Sequence, residues 1–262
     1  MESLDAGFDE VIVLDNASIP PLEAIGGVRL IRSDSNTGVC GGRNELLAAT
    51  DCDVGVFIDD DAVALGPLSQ AVRGAFDSQP RLGALAFRID RPNGQLALEH
   101  PFRGGPAGVD VARACGYFVG AGYAVRRSAV EEAGGYDEGL FYSTEVIYLS
   151  MTLQRLGWEL NYRPDLAVEH RPSTRGRGIA PEVPAMRLRN RIVFARRHLP
   201  LPIALVHGSI WAAKSVPDLV RAQGFSRWAT AIRDGLNYPL ERKPLTYSQL
   251  KVIHDRGGRV LY

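Results

Sequence analysis

The sequence predicts an α/β fold in which a mainly parallel, Rossmann-like sheet is covered by helices on both faces. Short apolar runs alternate with helical patterns along the first half of the chain, and several of those runs end abruptly in polar residues. After Pro172 the pattern changes to an Arg-rich loop followed by two or three predicted helices. With 262 residues, 45% hydrophobic and 23% charged, the chain can bury a substantial core.

The first elements follow the order strand, helix, strand, helix. Residues 10–18 read EVIVLDNAS, a β-branched run that predicts a buried strand delivering Asp and Asn at its carboxyl end. Residues 28–50 predict a second strand, a Gly-rich turn and a helix that begins near Gly42. The run VGVFI predicts a third strand, and residues 65–78 predict a helix with Pro67 in its first turn.

The next elements continue this alternation. Residues 82–89 predict a strand, and residues 116–141 predict a strand followed by a helix that ends at a Gly-Gly pair. Residues 145–158 have helical apolar spacing, and residues 159–173 return as a strand with His170 near its end. In such sheets ligands bind beyond the carboxyl ends of the strands, so the polar residues at those ends should face one crevice.

Composition excludes several classes of function. Thirty basic residues balance thirty acidic ones, which argues against a nucleic-acid partner. Three cysteines without CxxC spacing argue against a disulfide framework or a zinc ribbon and fit a reducing compartment. No signal-peptide pattern and no spanning apolar run occurs. We therefore expect a cytoplasmic protein, either soluble or peripheral to the inner face of the cell membrane.

Three adjacent carboxylates, Asp59, Asp60 and Asp61, follow the third predicted strand. Their charges repel one another unless a cation lies between them, and oxygen ligands suit Mg²⁺ or Mn²⁺. Aspartates in turns and helix caps are the structural alternative. The pattern also matches the Asp-x-Asp segment of haloacid-dehalogenase-type phosphatases, with Asp59 as nucleophile. That class needs a later lysine and acidic cluster, whereas the lysines here all lie in the predicted terminal helices.

A series of segments resembles the family-2-like glycosyltransferases of GT-A fold, and especially their bacterial rhamnosyltransferase-like branch. The segments occur in the family's order: VIVLDNAS, NTGVCGGRN, VFIDDDAV, GAGYAVRRSAVEEAGGYDE, LQRLGW and YRPDLAVEH. The resemblance implies a metal-dependent, inverting transfer of a sugar from a nucleoside-diphosphate donor, UDP- or dTDP-linked, to an acceptor hydroxyl. The acceptor can be a saccharide, a lipid-linked compound or a natural product.

The resemblance also implies roles for individual residues. Asp61 would hold Mn²⁺ or Mg²⁺ at the diphosphate, His170 would complete that metal site, and Asp59 would lie near sugar or ribose hydroxyls. Asp15 would accept a hydrogen bond from the nucleobase, and small residues would leave room for the donor sugar. The donor-binding positions that match the family are Asp15, Asn16, Asn36, Gly38, Arg43, Asn44, Asp59, Asp60, Gly120 and Ala121.

Two departures from the family pattern bear on activity. Val146 stands where relatives carry the aspartate that acts as general base, so Glu145 is the candidate base. The alternative is a catalytically silent relative that binds a nucleotide or acts as a scaffold. The family's first strand would precede Glu10, so we also expect an exposed sheet edge or a borrowed strand, for example in a homodimer.

The expected organisation has three parts. Residues 1–172 form the GT-A nucleotide-sugar-binding and catalytic domain, residues 173–185 a loop or lid, and residues 186–262 a helical region. The loop carries two arginines that could close over a diphosphate. The helical region combines arginines with a short apolar segment, which fits either a helix pair on the catalytic domain or contact with an anionic membrane surface.

Overall fold

Eight strands and eight α-helices make up the described part of the computed structural model, which comprises residues 4–97, 100–102, 108–171, 182–217 and 224–258. The strands are β1 (Ile12–Asp15), β2 (Arg29–Arg32), β3 (Val54–Ile58), β4 (Ala62–Ala64), β5 (Leu82–Asp90), β6 (Arg113–Ala114), β7 (Gly122–Arg126) and β8 (Glu159–His170). The helices are α1 (Gly38–Ala48), α2 (Ser69–Ser78), α3 (Arg127–Ala133), α4 (Glu145–Arg155), α5 (Glu182–His198), α6 (Leu201–Ser215), α7 (Phe225–Asn237) and α8 (Tyr247–Asp255).

The central sheet has six strands in the order β3-β7-β5-β8-β4, with β6 paired to β8. Only β5 and β8 pair in parallel; the other four pairs of this sheet are antiparallel. The α/β class is confirmed, but the expectation of a mainly parallel sheet is wrong for these strands. No helix lies between β5 and β7 among the described residues, and without a helical crossover the chain returns in the opposite direction.

The strands β1 and β2 form a separate parallel pair. Among the described residues no ladder joins β1 to β3. All five residues of β3 are partly exposed, whereas eight of the nine residues of β5 are buried. Among the described residues the central sheet therefore ends at β3.

The core lies on both faces of the central sheet. One cluster joins β5, β7 and β8 to α3, α4 and α5, and it contains the stacked rings of Phe118 and Tyr123, whose centroids are 4.6 Å apart. The other cluster packs α2 onto the opposite face. Helix α2 begins at Ser69 because Asp5 accepts hydrogen bonds from the N–H groups of Leu68 and Ser69 at 2.9 and 3.3 Å.

Some boundaries differ from the sequence-based expectations. Helix α1 begins at Gly38, four residues before the expected start, because the N–H groups of Val39 and Cys40 both point at the carbonyl oxygen of Phe141. The expected loop 173–185 lies mostly outside the described residues, and its last four residues belong to α5. The terminal region holds four described helices rather than two or three, and no described helix is long and apolar enough to cross a bilayer.

The end of α5 packs against α4, which connects the terminal helices to the part of the chain that holds the central sheet. His198 is fully buried, and its ring lies edge-on to Tyr148 of α4 with the centroids 4.4 Å apart. Burial lowers the pKa of His198 well below 6.5, and the nearby charges of Arg197 and Arg155 lower it further. The folded protein therefore holds this imidazole neutral.

Acidification should weaken the fold through His198. Because its folded pKa lies below the unfolded value, the unfolded chain binds the proton first, so stability is complete above pH 6.5 and falls as pH drops below it. Urea unfolding should be measured at several pH values between 8 and 5. The free energy of unfolding should fall with decreasing pH more steeply in wild type than in His198→Phe, by about 1.4 kcal/mol per pH unit. Equal slopes in wild type and His198→Phe would refute the assignment.

Candidate active site

Three potential metal ligands meet where β3 and β8 end. The chain turns tightly after β3, with the N–H of Ala62 donating to the carbonyl of Asp59 at 2.9 Å, and β4 then pairs Ala62 with His170. This pairing brings His170 Nε2 within 3.1 Å of Asp61 Oδ1. One ligand atom each of Asp59, Asp61 and His170 lies within 4.8 Å of the others. Two carboxylates and an imidazole are a donor set suited to Mn²⁺ and similar divalent ions.

The electrostatics of this cluster favour a positive charge. The surrounding protein removes water from the carboxylate of Asp59 and, with the neighbouring charge of Asp61, raises its pKa to about 6. Arg43 opposes this shift from 3.7 Å, the distance between its Nη2 and Asp59 Oδ1. Asp59 still has 42% of its side chain exposed, so an incoming ligand can reach it. Asp60 is exposed and lies outside the cluster.

Arg43 links the cluster to α4. Its Nη1 donates to Glu145 Oε1 at 3.0 Å and its Nη2 to the carbonyl of Gly120 at 3.3 Å. The guanidinium also lies over the rings of Tyr123 and Tyr136, with its carbon 5.2 and 5.6 Å from their centroids. Only 7% of the Arg43 side chain and 10% of the Glu145 side chain are exposed, so this is a buried ion pair.

Gly120 and Ala121 form the wall between β3 and this ion pair. A Cβ atom at Gly120 would lie 3.1 Å from Arg43 Nη2 and 3.8 Å from Glu145 Oε1, so a side chain there would crowd the pair. Ala121 is buried, and its carbonyl accepts the N–H of Asp59 at 3.3 Å. Gly120 and Ala121 therefore place no side chain larger than a methyl group beside Arg43 and Asp59.

The carboxylate of Asp15 is buried under the turn that follows β1. It accepts the N–H groups of Ser18 and Leu22 at 2.8 and 3.0 Å and pairs with Arg32. The Ser18 N–H bond, with those of Leu22 and Arg32, outweighs burial and lowers the pKa of Asp15 to about 2. In this structure its hydrogen bonds go to the protein.

The turn before α1 is fixed by side-chain amides. Asn16 Nδ2 donates to the carbonyl of Gly38 at 3.1 Å, and Asn16 Oδ1 accepts the N–H of Thr37 at 2.9 Å. Asn36 Oδ1 accepts the N–H of Gly38 at 2.9 Å. Gly38 has a positive φ of 68°, and a Cβ atom there would lie 2.5 Å from the carbonyl oxygen of Phe141, so only glycine fits.

Asn44 faces away from this turn, toward the segment before α4. Its Oδ1 accepts the N–H of Tyr136 at 2.9 Å, and its Nδ2 donates to the Tyr136 carbonyl and to Glu138 Oε1, each at 2.9 Å. The side-chain amide of Asn44, one of the expected donor-binding residues, therefore joins α1 to that segment through hydrogen bonds.

The segment before α4 contains residues that the sequence analysis missed. Phe141, Ser143 and Thr144 all have positive φ, at 60°, 69° and 77°, which costs free energy in residues other than glycine. The fully buried Asn190 of α5 holds this segment, because its Nδ2 lies 2.8–2.9 Å from the carbonyl oxygens of Leu140, Tyr142 and Ser143. In the sequence, the signal for this contact was a single polar residue, Asn190, at a position of the predicted helix where an apolar residue would otherwise pack.

A cavity of about 490 Å³ opens between this segment and the turn before α1. The exposed rings of Phe141 and Tyr142 line one side, and Asn16 and Asn36 line the other. The carboxylate–imidazole cluster and the buried guanidinium do not line this cavity, whose lining includes the turn residues Asn16, Asn36 and Gly38. The cluster, with Arg43 beside it, can hold a divalent cation together with an anionic ligand.

Comparison with protein families identifies the segment that contains most of this site. Residues 2–132 match the family described as glycosyl transferase family 2. A Mycobacterium tuberculosis protein named N-acetylglucosaminyl-diphospho-decaprenol L-rhamnosyltransferase is 28% identical over 230 residues, covering 72% of this chain and 75% of its own length. An uncharacterised protein of Haemophilus influenzae is 32% identical over 103 residues, covering 38% of this chain and 56% of its own length.

Solved structures share the fold at low sequence identity. GalNAc-T7, crystallised with UDP, GalNAc and Mn²⁺, superposes with a TM-score of 0.59 at 13% identity, covering 87% of this chain and 48% of that chain. Residues 1–349 of S. aureus TarS, in complex with UDP-GlcNAc, give 0.54 at 15% identity, covering 87% and 71%. The GT-A fold is thereby confirmed, and the chain spans only about half the length of GalNAc-T7 and of the H. influenzae relative.

Proposed function

Because the chain belongs to glycosyl transferase family 2, we propose that it is a metal-dependent, inverting glycosyltransferase acting on a nucleoside-diphosphate sugar. The observation that carries this proposal is the meeting of Asp59, Asp61 and His170 beside a buried Arg43. This arrangement offers ligands for a cation and a positive charge for a diphosphate within one crevice. UDP- and dTDP-linked sugars are the proposed donors.

The donor would lie across the carboxyl ends of β1 and β3. Asp59 and Asp60 would contact hydroxyl groups of the donor, and Gly120 and Ala121 would leave room for its sugar. The turn residues Asn16, Asn36 and Gly38 would line the nucleotide, together with Asn44 at the edge of α1. Asp15 now accepts hydrogen bonds from the N–H groups of Ser18 and Leu22. To bind the nucleobase, it would have to give up one of these bonds and accept a hydrogen bond from the base instead.

Mn²⁺ or Mg²⁺ would be held by Asp61 and His170, where it would neutralise charge on the departing diphosphate. Arg43 supports the same task as a fixed cation, since its guanidinium stays protonated in protein environments. Its contact with the Gly120 carbonyl orients it toward Asp59. The protein would thereby provide a preorganised positive field at the leaving group.

Glu145 is the proposed general base. Its Oε1 is occupied by Arg43, while its buried Oε2 has no hydrogen-bond partner among the described residues. An unpartnered carboxylate oxygen can take the proton of an acceptor hydroxyl brought within hydrogen-bond distance. Inversion follows if that hydroxyl attacks the anomeric carbon opposite the diphosphate.

The same ion pair favours a second candidate function. One carboxylate oxygen of Glu145 already accepts a hydrogen bond from the buried guanidinium of Arg43, so that oxygen is not available to an acceptor hydroxyl. With Val146 beside Glu145 in place of the usual aspartate, the chain could bind a nucleotide without turnover. This second candidate is a silent nucleotide-binding or scaffolding relative, and turnover measurements separate it from the enzyme.

Nucleotide binding should depend on the metal cluster. Isothermal titration with UDP, dTDP and GDP should show binding of one nucleotide with Mn²⁺ and its loss with EDTA. Asp61→Asn should weaken the metal-dependent binding by at least about tenfold, because it removes a charged ligand. Asp165→Asn, which changes an exposed carboxylate on the same strand as His170, should bind like wild type. Equal binding with EDTA and Mn²⁺ would contradict the metal assignment.

Glu145→Gln should separate the two candidate functions. The substitution keeps the shape and a hydrogen-bond acceptor near Arg43 but cannot accept a proton, so donor-sugar hydrolysis or transfer should fall by about a hundredfold or more. Nucleotide binding should stay within about threefold of wild type, and the exposed Glu159→Gln should leave both unchanged. Unchanged turnover in Glu145→Gln would remove this residue from the mechanism, and absent turnover in wild type would favour the silent relative.

The acceptor is proposed to be presented at a membrane surface, as suits a lipid-linked saccharide. Helix α6 exposes several apolar residues, including Leu201, Leu205 and Val206 at 58%, 63% and 51% exposure. The exposed cations Lys214 and Arg227 lie at the end of α6 and the start of α7, where they suit anionic headgroups. Exposed apolar residues with basic residues nearby in the chain are a combination found in interfacial helices.

Co-sedimentation with phosphatidylglycerol–phosphatidylcholine vesicles tests this contact. The triple variant Leu201→Ser, Leu205→Ser, Val206→Ser should lose vesicle binding by about tenfold or more, because it removes apolar area from the interface. Three equally exposed positions elsewhere provide the control variant Leu65→Ser, Val111→Ser, Val252→Ser. Equal sedimentation of both variants and wild type would exclude α6 as the contact.

A further inference from the structure

A cavity of about 380 Å³ lies between three of the terminal helices, and we call it the groove. Helix α5 contributes Ile192, Ala195 and Arg196, whose spacing of three and four residues places them on one face. Helix α7 contributes Ile232 and Leu236, which are four residues apart. The groove shares no described lining residue with the metal cluster or with the cavity beside the turn before α1. It is therefore a separate candidate binding site.

Helix α6 forms the longest wall of the groove. Its lining residues recur at spacings of three and four positions and so form one row: Leu201, Ala204, Leu205, Gly208, Ser209 and Ala212. From Leu201 to Ala212 the helix rises about 17 Å, at about 1.5 Å per residue. The hydrocarbon core of a bilayer is about 30 Å thick, so a chain in one leaflet extends about 15 Å. The row therefore has about the length of one hydrocarbon chain.

The row has small residues in its middle and exposed leucines at one end. A Cβ atom at Gly208 would meet no atom within 4 Å, and Ala204 adds only a methyl group. By contrast, Leu201 and Leu205 of α6 and Leu236 of α7 are each more than half exposed. Removing such apolar surface from water is favourable. The groove thus offers depth for an apolar ligand and leucines that the ligand would cover.

Both charged residues that line the groove are arginines. Arg196 Nη1 donates to the carbonyl oxygens of Gly235 and Tyr238 at 2.8 and 3.0 Å. Arg242 Nη2 donates to the carbonyl oxygen of Leu199 at 3.1 Å. Among the described residues no carboxylate lines the groove. Hydrogen bonds to carbonyl oxygens do not cancel the positive charges of these side chains, so an anionic group is the ligand that complements them.

The few polar side chains that line the groove argue against an extended peptide as its occupant. The N–H and C=O groups of such a peptide need hydrogen-bond partners, whereas the polar side chains among the described lining residues are Ser209 and the two arginines. A hydrocarbon chain has no such groups and can lie along the apolar row. At its end, phosphate oxygens accept the paired hydrogen bonds that guanidinium groups donate. A chain with an anionic phosphate group therefore matches both features of the groove.

We propose that the groove binds one hydrocarbon chain of an anionic membrane lipid, with the lipid's phosphate group at Arg196 and Arg242. Leu201 and Leu205 belong both to the groove and to the proposed membrane contact, so the groove opens at the surface that would meet the bilayer. The inference rests on that proposed contact and extends it, because α6 would hold a single lipid in addition to lying on the bilayer surface. It does not depend on the sugar donor, the metal or Glu145.

A single-chain fluorescent probe tests the proposal without vesicles, donor or metal. Dansyl-undecanoic acid has one alkyl chain and a carboxylate, and its fluorescence should rise as the protein takes the chain out of water. Dodecyl phosphate and dodecyltrimethylammonium, both below their micelle-forming concentrations, then compete for the groove. Because they have the same chain and opposite charges, dodecyl phosphate should displace the probe at a concentration at least about tenfold lower. No rise in fluorescence, or equal displacement by the two compounds, would overturn the proposal.

Two helical glycines offer a matched pair of variants. Gly208 lines the groove, whereas Gly74 is exposed on α2, and a Cβ atom at either position would meet no atom within 4 Å. Gly208→Phe should fold and weaken probe binding at least about tenfold, because the ring occupies space that the chain needs. Gly74→Phe should bind the probe within about threefold of wild type. Circular dichroism checks that both fold, and equal binding by the two folded variants would overturn the proposal.

A second pair of variants tests the position of the phosphate group. Arg242→Gln removes one positive charge from the groove and keeps a group that can donate to the Leu199 carbonyl. Arg233→Gln removes an exposed arginine of α7 that pairs with Asp234 and does not line the groove. The preference for dodecyl phosphate over dodecyltrimethylammonium should fall at least about threefold in Arg242→Gln and stay at the wild-type value in Arg233→Gln. Equal preferences in the two variants would overturn the assignment of the phosphate group to Arg242.

Two further measurements separate this inference from its alternatives. Vesicle binding by a protein that does not bind the probe would leave the membrane contact of α6 in place and overturn only the lipid site in the groove. Sedimentation velocity of the protein alone should show one species at all concentrations tested. Self-association that Gly208→Phe abolishes would assign the groove to a second copy of this chain and would likewise overturn the proposal.

Discussion

The buried guanidinium of Arg43 is the interaction on which the site depends. It joins α1 to Glu145 at the start of α4, to the Gly120 carbonyl before β7 and to Asp59 at the end of β3. An unpaired charge in such a buried position would be strongly destabilising. Moving Arg43 away from these partners would therefore cost free energy, and the folded state keeps them in contact. A buried ion pair adds little net stability over apolar packing. Its value here lies in fixing the relative positions of three elements that each carry a residue of the site.

The segment before α4 shows how that arrangement is maintained. Three residues in left-handed conformations cost free energy, and such backbone persists only where surrounding contacts determine it. Asn190 supplies those contacts from α5, and Gly38 lets the Phe141 carbonyl approach closely because it has no Cβ atom. The C-terminal helices are therefore part of the site, because one of them shapes the entrance to α4 and hence the position of Glu145.

Much of the site could be predicted from the sequence, because strand-end carboxylates and the order of motifs are local signals. The clustering of Asp59 and Asp61 with His170 follows from that logic, as does the α/β class. Strand direction could not be predicted, since an apolar run has the same pattern in parallel and antiparallel pairs. The Arg43–Glu145 pair joins residues 102 positions apart, and the Asp5 cap on α2 joins residues more than 60 apart. Contacts of that range depend on tertiary packing, which periodicity does not encode.

The separation of β1 from the central sheet bears directly on the geometry of the site. Strand β1 brings Asp15 and Asn16 to the crevice, and β3 brings Asp59, yet no described main-chain ladder fixes β1 relative to β3. Their spacing depends on α1, which contacts Asn16 at its first turn and reaches Asp59 through Arg43. Side-chain contacts hold a distance less rigidly than a ladder of hydrogen bonds, because each long side chain retains rotational freedom. The two sides of the crevice are thus coupled through one helix.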